Sequence, residues 1–390
     1  MLDTITIKIN TPANPLDIGC LAECLLFYDH TKLFVDKNSL KELFELCGVD
    51  EIQELLERGC LSIYTKGDIL GASDKGDVYG ADLYSIMNDD LHYRAFFESF
   101  SSLYENQIGK ARRHARRFAS ITNSFKYDLS IIDDIENSVR DTKFIRQIIS
   151  RFITAIGLEK EFVGKEWYYD FVPINEHEFN HYTNLDLDRL KTLSEEKQLH
   201  FDFSPTSLLL DLSESLGDIQ IAIKNNSEIF TTPVNSKIIS LKFDNIFEGA
   251  KINHDTISQF QKIVLPNYRD LASIINSGGK NYNDLIGLID KAERFKTWKR
   301  DIPNEANFIE EYFKALEKDS WLNKLPVKIG RFSIFEGLGI LFDIFGAGGL
   351  GTLATTTLSA ADSFILDKIL NRWKPNQFVK GDLNKFLKEK

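Results

Sequence analysis

Two histidines and a glutamate lie close together near the middle of the chain. His177, Glu178 and His181 follow the pattern H-E-x-x-H. On a helix, residues four apart share a face, so both imidazoles would be able to hold one Zn²⁺. The intervening Glu178 would lie beside the metal and take a proton from its bound water. This spacing predicts a metal site with zinc as the cofactor.

The five-residue pattern resembles that of the zinc-dependent metallopeptidases, the zincins. The resemblance implies a hydrolase with His177 and His181 as metal ligands and Glu178 as the general base. Such a site also needs a third protein ligand. The carboxylates available downstream are Asp186, Asp188, Glu195 and Glu196. The alternative is a polar loop between a strand and a helix, with Asn184 or Asp186 as the N-cap of that helix.

A cluster of basic residues precedes this pattern in the chain. Five fixed positive charges fall within eight residues: Lys110, Arg112, Arg113, Arg116 and Arg117. The cluster predicts a phosphate or nucleic-acid site, because arginine and lysine neutralise phosphates. One alternative is an anionic membrane surface as the partner. The other is a structural face whose charges are paired with acidic neighbours such as the segment 132–137.

The segment 332–370 is apolar and rich in glycine. Its central glycines, which follow the pattern G-x-G-x-x-G, are Gly346, Gly348, Gly349 and Gly351. Basic residues flank the segment, and Trp373 follows it. The composition predicts a helical hairpin that bends at the glycines and associates with a membrane surface or a protein partner. The alternatives are a buried helix pair and a nucleotide-binding loop.

The elements that position these residues are predicted from hydrophobic periodicity. Strands are predicted at 4–9, 32–35, 60–65, 166–172, 199–203, 219–223 and 238–243. Helices are predicted at 16–28, after a capping box of Ser39 and Glu42, after Asp50 as a cap, and through 88–158 and 254–324. Gly48 and Gly59 are predicted to end the two capped helices.

This order of elements predicts an α+β fold that is predominantly α-helical. It has a small N-terminal mixed α/β unit, central antiparallel strands, and a helical C-terminal region with the glycine-rich hairpin. The corresponding regions are 1–84, 85–164, 165–250, 251–325 and 326–390.

Composition excludes several classes of protein. The chain has 390 residues, a net charge of −11, and ordinary fractions of apolar and charged residues, which excludes disordered and collagen-like chains. The acidic balance argues against a protein built to coat nucleic acid. Four cysteines are too few for a disulfide scaffold, and Cys20 and Cys24 are predicted to be core thiols. With no secretion signal visible, the expected location is cytoplasmic, with peripheral membrane association as the alternative.

Three functional hypotheses follow from the sequence. The first is a non-catalytic prokaryotic binding or effector protein that acts through a protein partner or through membrane association of the hairpin. The second is a zinc-dependent hydrolase carried by the H-E-x-x-H pattern. The third is a phosphate- or nucleic-acid-binding protein that uses the basic cluster.

Overall fold

The computed structural model describes most of the first 300 residues and a short C-terminal part. The described residues are 4–8, 16–85, 89–105, 107–197, 201–225, 227–243, 271–301, 312, 375 and 377–388. The predicted hairpin at 332–370, with its four central glycines, lies outside them, as does Trp373.

The described elements alternate between strands and helices in the first half of the chain. The strands are Thr4–Lys8 (β1), His30–Val35 (β2), Leu61–Lys66 (β3), Asp68–Asp74 (β4), Val78–Ser85 (β5), Asn123–Phe125 (β6), Tyr169–Pro173 (β7), Phe179–Thr183 (β8) and Glu228–Phe230 (β9). The helices up to the central strands are Ile18–Phe27 (α1), Lys37–Cys47 (α2), Val49–Glu57 (α3), Asp89–Leu103 (α4), Ile108–Ile121 (α5), Ile131–Arg140 (α6), Thr142–Ala155 (α7) and Glu159–Phe162 (α8). The later helices are Leu187–Glu196 (α9), Pro205–Asn225 (α10), Pro233–Phe243 (α11), Leu271–Asn276 (α12), Tyr282–Arg300 (α13), a π-helical segment Gln377–Leu383, and Asn384–Lys388 (α14).

Five strands form a parallel sheet in the order β6-β3-β2-β1-β9. The interior strand β1 is buried on both faces, as expected when helices cover both sides of a parallel sheet. The chain adds β2, β3 and β6 on one side of β1 and later adds β9 on its other side. The topological switch point therefore lies between β1 and β9, where α/β sheets commonly bind ligands.

Four strands form an antiparallel sheet in the order β4-β5-β8-β7. Helix α10 contacts strands of both sheets. Its approach to β4 is close at Gly217, where an added Cβ would lie 2.8 Å from Leu70 Cδ1 and 3.0 Å from the hydroxyl of Tyr127. The two kinds of sheet and the many helices confirm the predicted α+β, mostly helical class.

Several predicted boundaries are confirmed and two predicted caps are wrong. Strands begin or end within a few residues of the predictions in β1, β2, β3 and β7. Helix α2 starts before Ser39, because the carboxylate of Asp36 accepts a hydrogen bond from the Ser39 amide at 2.8 Å and so caps the helix. Gly48, with φ of 90°, ends α2 and also precedes α3, so Asp50 lies in the first turn of α3 rather than at its cap.

The predicted strands at 219–223 and 238–243 are wrong, because both segments are helical. The first belongs to the 21-residue helix α10 and the second to α11. The segment Ile219–Ile223 alternates apolar and polar residues, but it continues a helical apolar stripe that includes Leu208, Leu212 and Leu216. The helical periodicity of the whole segment, and not the local two-residue alternation, therefore determines its structure. Residues 201–203 are irregular rather than a strand, and Phe201 stacks on Phe152 in the core.

The chain divides into two compact units. One comprises residues 2–259 and 269–286, and the other comprises residue 1, 260–268 and 287–390. Both sheets lie in the first unit. None of the helices in the described ranges has the length and apolar character that a bilayer crossing requires.

Candidate functional site

The H-E-x-x-H segment does not form a helix. His177 and Glu178 lie in the turn before β8, and His181 lies within β8. His177 precedes the strand and His181 is its third residue, so the two imidazoles are not related by a helical turn. The shared helical face that the zinc prediction requires is therefore absent, because Phe179–Thr183 pairs with β7 instead.

The two imidazoles have different partners. His177 is exposed and its Nδ1 lies 2.6 Å from Oε1 of Glu136 on α6, a hydrogen bond that raises the pKa of His177. His181 points into the core between the rings of Tyr169 and Phe171, at centroid distances of 4.3 and 5.2 Å. Burial lowers the pKa of His181 to about 4.

Glu178 is held by neighbours other than the histidines. Its carboxylate accepts hydrogen bonds from Asn175 at 2.8 Å and Lys75 at 3.3 Å, which lower its pKa. The carboxylate of Asp186, one of the two predicted caps, caps α9 by accepting a hydrogen bond from the Arg189 amide. In the described ranges, no group of three histidine, cysteine or acidic side chains is arranged to hold a metal ion.

The basic cluster lies on α5, a helix with one buried and one exposed face. Ala111, Ala115 and Phe118 are fully buried against neighbouring helices. Phe118 contacts the rings of Phe44 and Phe100 at 4.9 and 5.2 Å. A repeat of 3.6 residues per turn places the basic residues of the cluster opposite this buried stripe.

The exposed basic side chains of α5 differ in their partners. Arg117 forms an ion pair with Glu57, and the Lys110 ammonium lies 4.0 Å from the centroid of the Tyr104 ring. Within the part of the chain that the structure describes, Arg112, Arg113 and Arg116 are exposed and form no ion pair. Among the described residues, the structural face of paired charges, which was one alternative from the sequence, is therefore realised at Arg117 and not at Arg112, Arg113 or Arg116.

The acidic segment at 132–137 has other partners. Glu136 pairs with His177 and with Arg140 on its own helix. On α5 itself, His114 is half-buried beside Phe100 and Tyr104, and its pKa is lowered by burial and by the nearby Lys110. A lowered pKa leaves His114 neutral at pH 7, so the positive charge of this face comes from arginine and lysine.

A second group of ionisable residues, which the sequence analysis missed, lies at the carboxyl end of the parallel sheet. Lys8 at the end of β1 forms ion pairs with Glu214 and Asp218 on α10. Asp218 also accepts a hydrogen bond from Thr231, the residue after β9. Burial disfavours the charge on Lys8, but Asp218 and Glu214 outweigh burial and raise its pKa.

The sequence contained a partial signal for this group. Lys8 lies one residue before the end of the predicted strand 4–9, and Lys66 follows the predicted strand 60–65. Polar residues at the carboxyl ends of parallel strands commonly form sites. The acidic partners were hidden because the segment after Gly217 was interpreted as a strand. On a helix, Asp211, Glu214 and Asp218 lie along one face.

Comparisons of the chain with protein-family models, curated proteins and solved structures found no match.

Proposed function

We propose that this protein binds nucleic acid through the basic face of α5. The observation that carries the proposal is that Arg112, Arg113 and Arg116 are exposed side by side and have no carboxylate partner among the residues that the structure describes. Arginine forms two parallel hydrogen bonds to a phosphate, and neighbouring arginines on one helix face suit successive phosphates of a backbone. Lys110 and Arg117 extend the same face.

The burial of α5 favours nucleic acid over a membrane as the partner. A helix that lies in a membrane surface inserts an exposed apolar face among the lipids. The apolar stripe of α5, formed by Ala111, Ala115 and Phe118, is already covered by the protein. Between Ile108 and Ile121, which are exposed at the two ends of the helix, the remaining surface of α5 is mostly charged, which suits a phosphate backbone.

The acidic remainder of the chain limits the expected affinity. A net charge of −11 repels a polyanion at long range, so binding depends on short-range phosphate contacts. Three unpaired arginines would neutralise about three phosphates, for which the slope of log K against log salt on duplex DNA is about −2.7. Affinity is then expected to fall about 40-fold between 50 and 200 mM salt.

Fluorescence anisotropy of labelled single-stranded and duplex DNA and RNA tests the proposal. The full-length protein is titrated into each probe at 50, 100 and 200 mM salt. Binding with the stated slope supports the proposal, and no binding at 50 mM salt contradicts it. Vesicles with and without anionic lipid form a parallel arm, in which preferential binding to anionic vesicles without nucleic-acid binding would favour the membrane alternative.

Two other functional hypotheses concern the hairpin and the H-E-x-x-H pattern. A protein partner or membrane association of the 332–370 hairpin stays a prediction, because that segment lies outside the described residues. Zinc-dependent hydrolysis has no support from the geometry of His177, Glu178 and His181 described above.

A further inference from the structure

A cavity of about 430 Å³ is lined by residues of α6, α7 and α11. Its volume lies within the range of small-molecule sites in proteins. Asp134 and Ser138 line it from one face of α6, and Asp141 lines it from the junction of α6 and α7. Lys143 of α7 and Lys242 of α11 complete its charged lining. The cavity therefore brings two carboxylates and two ammonium groups to one place.

The ammonium of Lys242 is fixed inside this cavity. It donates a hydrogen bond to Oγ of Ser138, which is 3% exposed and in turn donates to the carbonyl of Asp134 at 2.6 Å. The ammonium also lies 5.5 Å from the centroid of the Phe144 ring. Within the described ranges Lys242 has no carboxylate partner. Because an ammonium has three N–H donors, two remain for a group that enters the cavity.

The four charged groups of the cavity form no ion pair with each other or with any other described residue. The carboxylate of Asp141 accepts a hydrogen bond from the Phe144 amide at 3.0 Å and so caps α7. The carboxylate of Asp134 has no partner in the part of the chain that the structure describes. Burial lowers the pKa of Lys242, and Asp134 and Asp141 oppose this effect. Opposite charges thus lie near each other here without direct contact.

We propose that the cavity binds a small zwitterion, such as an ω-amino acid or a dipeptide. The ligand carboxylate accepts hydrogen bonds from Lys242, and the ligand ammonium donates to Asp134. Ser138, which holds Lys242, lies one helical turn from Asp134, about 6 Å along the axis, so the two ligand charges are several bonds apart. A lone anion would face Asp134 and Asp141, and a lone cation would face Lys143 and Lys242. A zwitterion satisfies both kinds of charge.

The uncharged lining of the cavity suits the middle of such a ligand. Phe144 and Leu241 offer apolar contacts to a carbon chain. Asn137 and Gln147 offer side-chain amides, which can donate to and accept from a peptide bond. The carbon chain of an ω-amino acid uses the first pair, and a dipeptide also uses the second.

Saturation-transfer NMR on the full-length protein tests the proposal with three matched probes. The probes are 5-aminopentanoate, pentanoate and pentylamine, which share a chain length, but only the first carries both charges. We expect 5-aminopentanoate to bind about tenfold or more tightly than either of the others, because each of them lacks one charge-assisted contact. Alanylalanine is titrated in the same way, and tighter binding of this dipeptide would identify a peptide as the preferred ligand.

Two variants locate the binding in the cavity. Lys242→Met removes the ammonium and keeps an unbranched stem, and Asp134→Asn removes the charge at the other end. Each should weaken the binding of 5-aminopentanoate about tenfold. Lys237→Met is the matched control and should bind like the wild type. Lys237 also lies on α11 above a phenylalanine ring, that of Phe152 at 5.4 Å, but does not line the cavity.

Three results would overturn the proposal. The first is equal binding of the three matched probes. The second is no binding of 5-aminopentanoate or alanylalanine in the millimolar range. The third is an equal effect of Lys242→Met and Lys237→Met on the affinity for 5-aminopentanoate.

Discussion

His177 and His181 are the same side chain in two opposite environments. The exposed imidazole of His177 gains a carboxylate partner, Glu136, whereas His181 is surrounded by aromatic rings and gains none. The Nε2 atom of His181 is buried and has no hydrogen-bond partner in the described part of the chain. The pattern H-E-x-x-H specifies spacing, but only the secondary structure decides whether that spacing brings two side chains together.

The burial of His181 makes the stability of the folded protein sensitive to acid. The unfolded chain protonates His181 near pH 6.5 and the folded chain only near pH 4, so stability is present above pH 6.5 and lost as the pH falls. A His181→Phe variant keeps the ring contacts and removes this titration. When the pH is lowered from 7.5 to 5.0, we expect the unfolding free energy of this variant, measured in urea, to fall by about 1 kcal/mol less than that of the wild type. This value allows for the partial exposure of the ring.

A His177→Gln variant is the matched control for this measurement. The raised pKa of His177 gives stability that is present below pH 6.5 and lost as the pH rises through the folded value. Because the His177→Gln variant lacks this contribution at low pH, its stability should fall more than that of the wild type when the pH is lowered. An equal response of the two variants would contradict the assignment of the imidazoles to opposite environments.

Among the helices and strands, those that a short local sequence pattern specifies were predicted correctly. The alternation in Thr4–Lys8 and the run Leu61–Lys66 are strands, and Asp186 caps α9 as predicted. The cap of α2 was missed because Asp36 lies directly between β2 and α2. Ser39 and Glu42 have the spacing of a capping box, but they lie within the helix.

The misread part of α10 shows where local patterns fail. Ile219–Ile223 has the period of a strand, and only the 21-residue helix that contains it excludes that interpretation. This error concealed the second ionisable site, because Glu214 and Asp218 face Lys8 only when both lie on a helix that covers the sheet. A single sequence does not show which elements pack together.

The cap of α9 provides a quantitative test at this scale. The carboxylate of Asp186 accepts the Arg189 amide at 3.1 Å. An Asp186→Ala variant should lose about 1 kcal/mol of unfolding free energy in urea, the usual value of an N-cap. Asp188→Ala, in the first turn of the same helix, should lose less than about 0.5 kcal/mol, because it only interacts with the helix dipole. Equal losses would show that Asp186 has no capping role.

At the scale of the whole molecule, charge is unevenly distributed. The chain is acidic as a whole, which argued from the sequence against a protein that coats nucleic acid. The structure is compatible with that argument, because the unpaired arginines of α5 form a local face. Binding through such a face would be confined to a few phosphates and would be sensitive to salt.

Two variants that each remove three positive charges test whether α5 binds nucleic acid. One replaces Arg112, Arg113 and Arg116 with glutamine. The other makes the same replacement at Arg58, Arg94 and Arg189, which pair with Glu54, Glu98 and Glu161. In anisotropy titrations of labelled nucleic acid at 50 mM salt, we expect the first variant to lose binding and the second to keep near wild-type affinity. Equal affinities of the two variants would show that binding does not depend on α5.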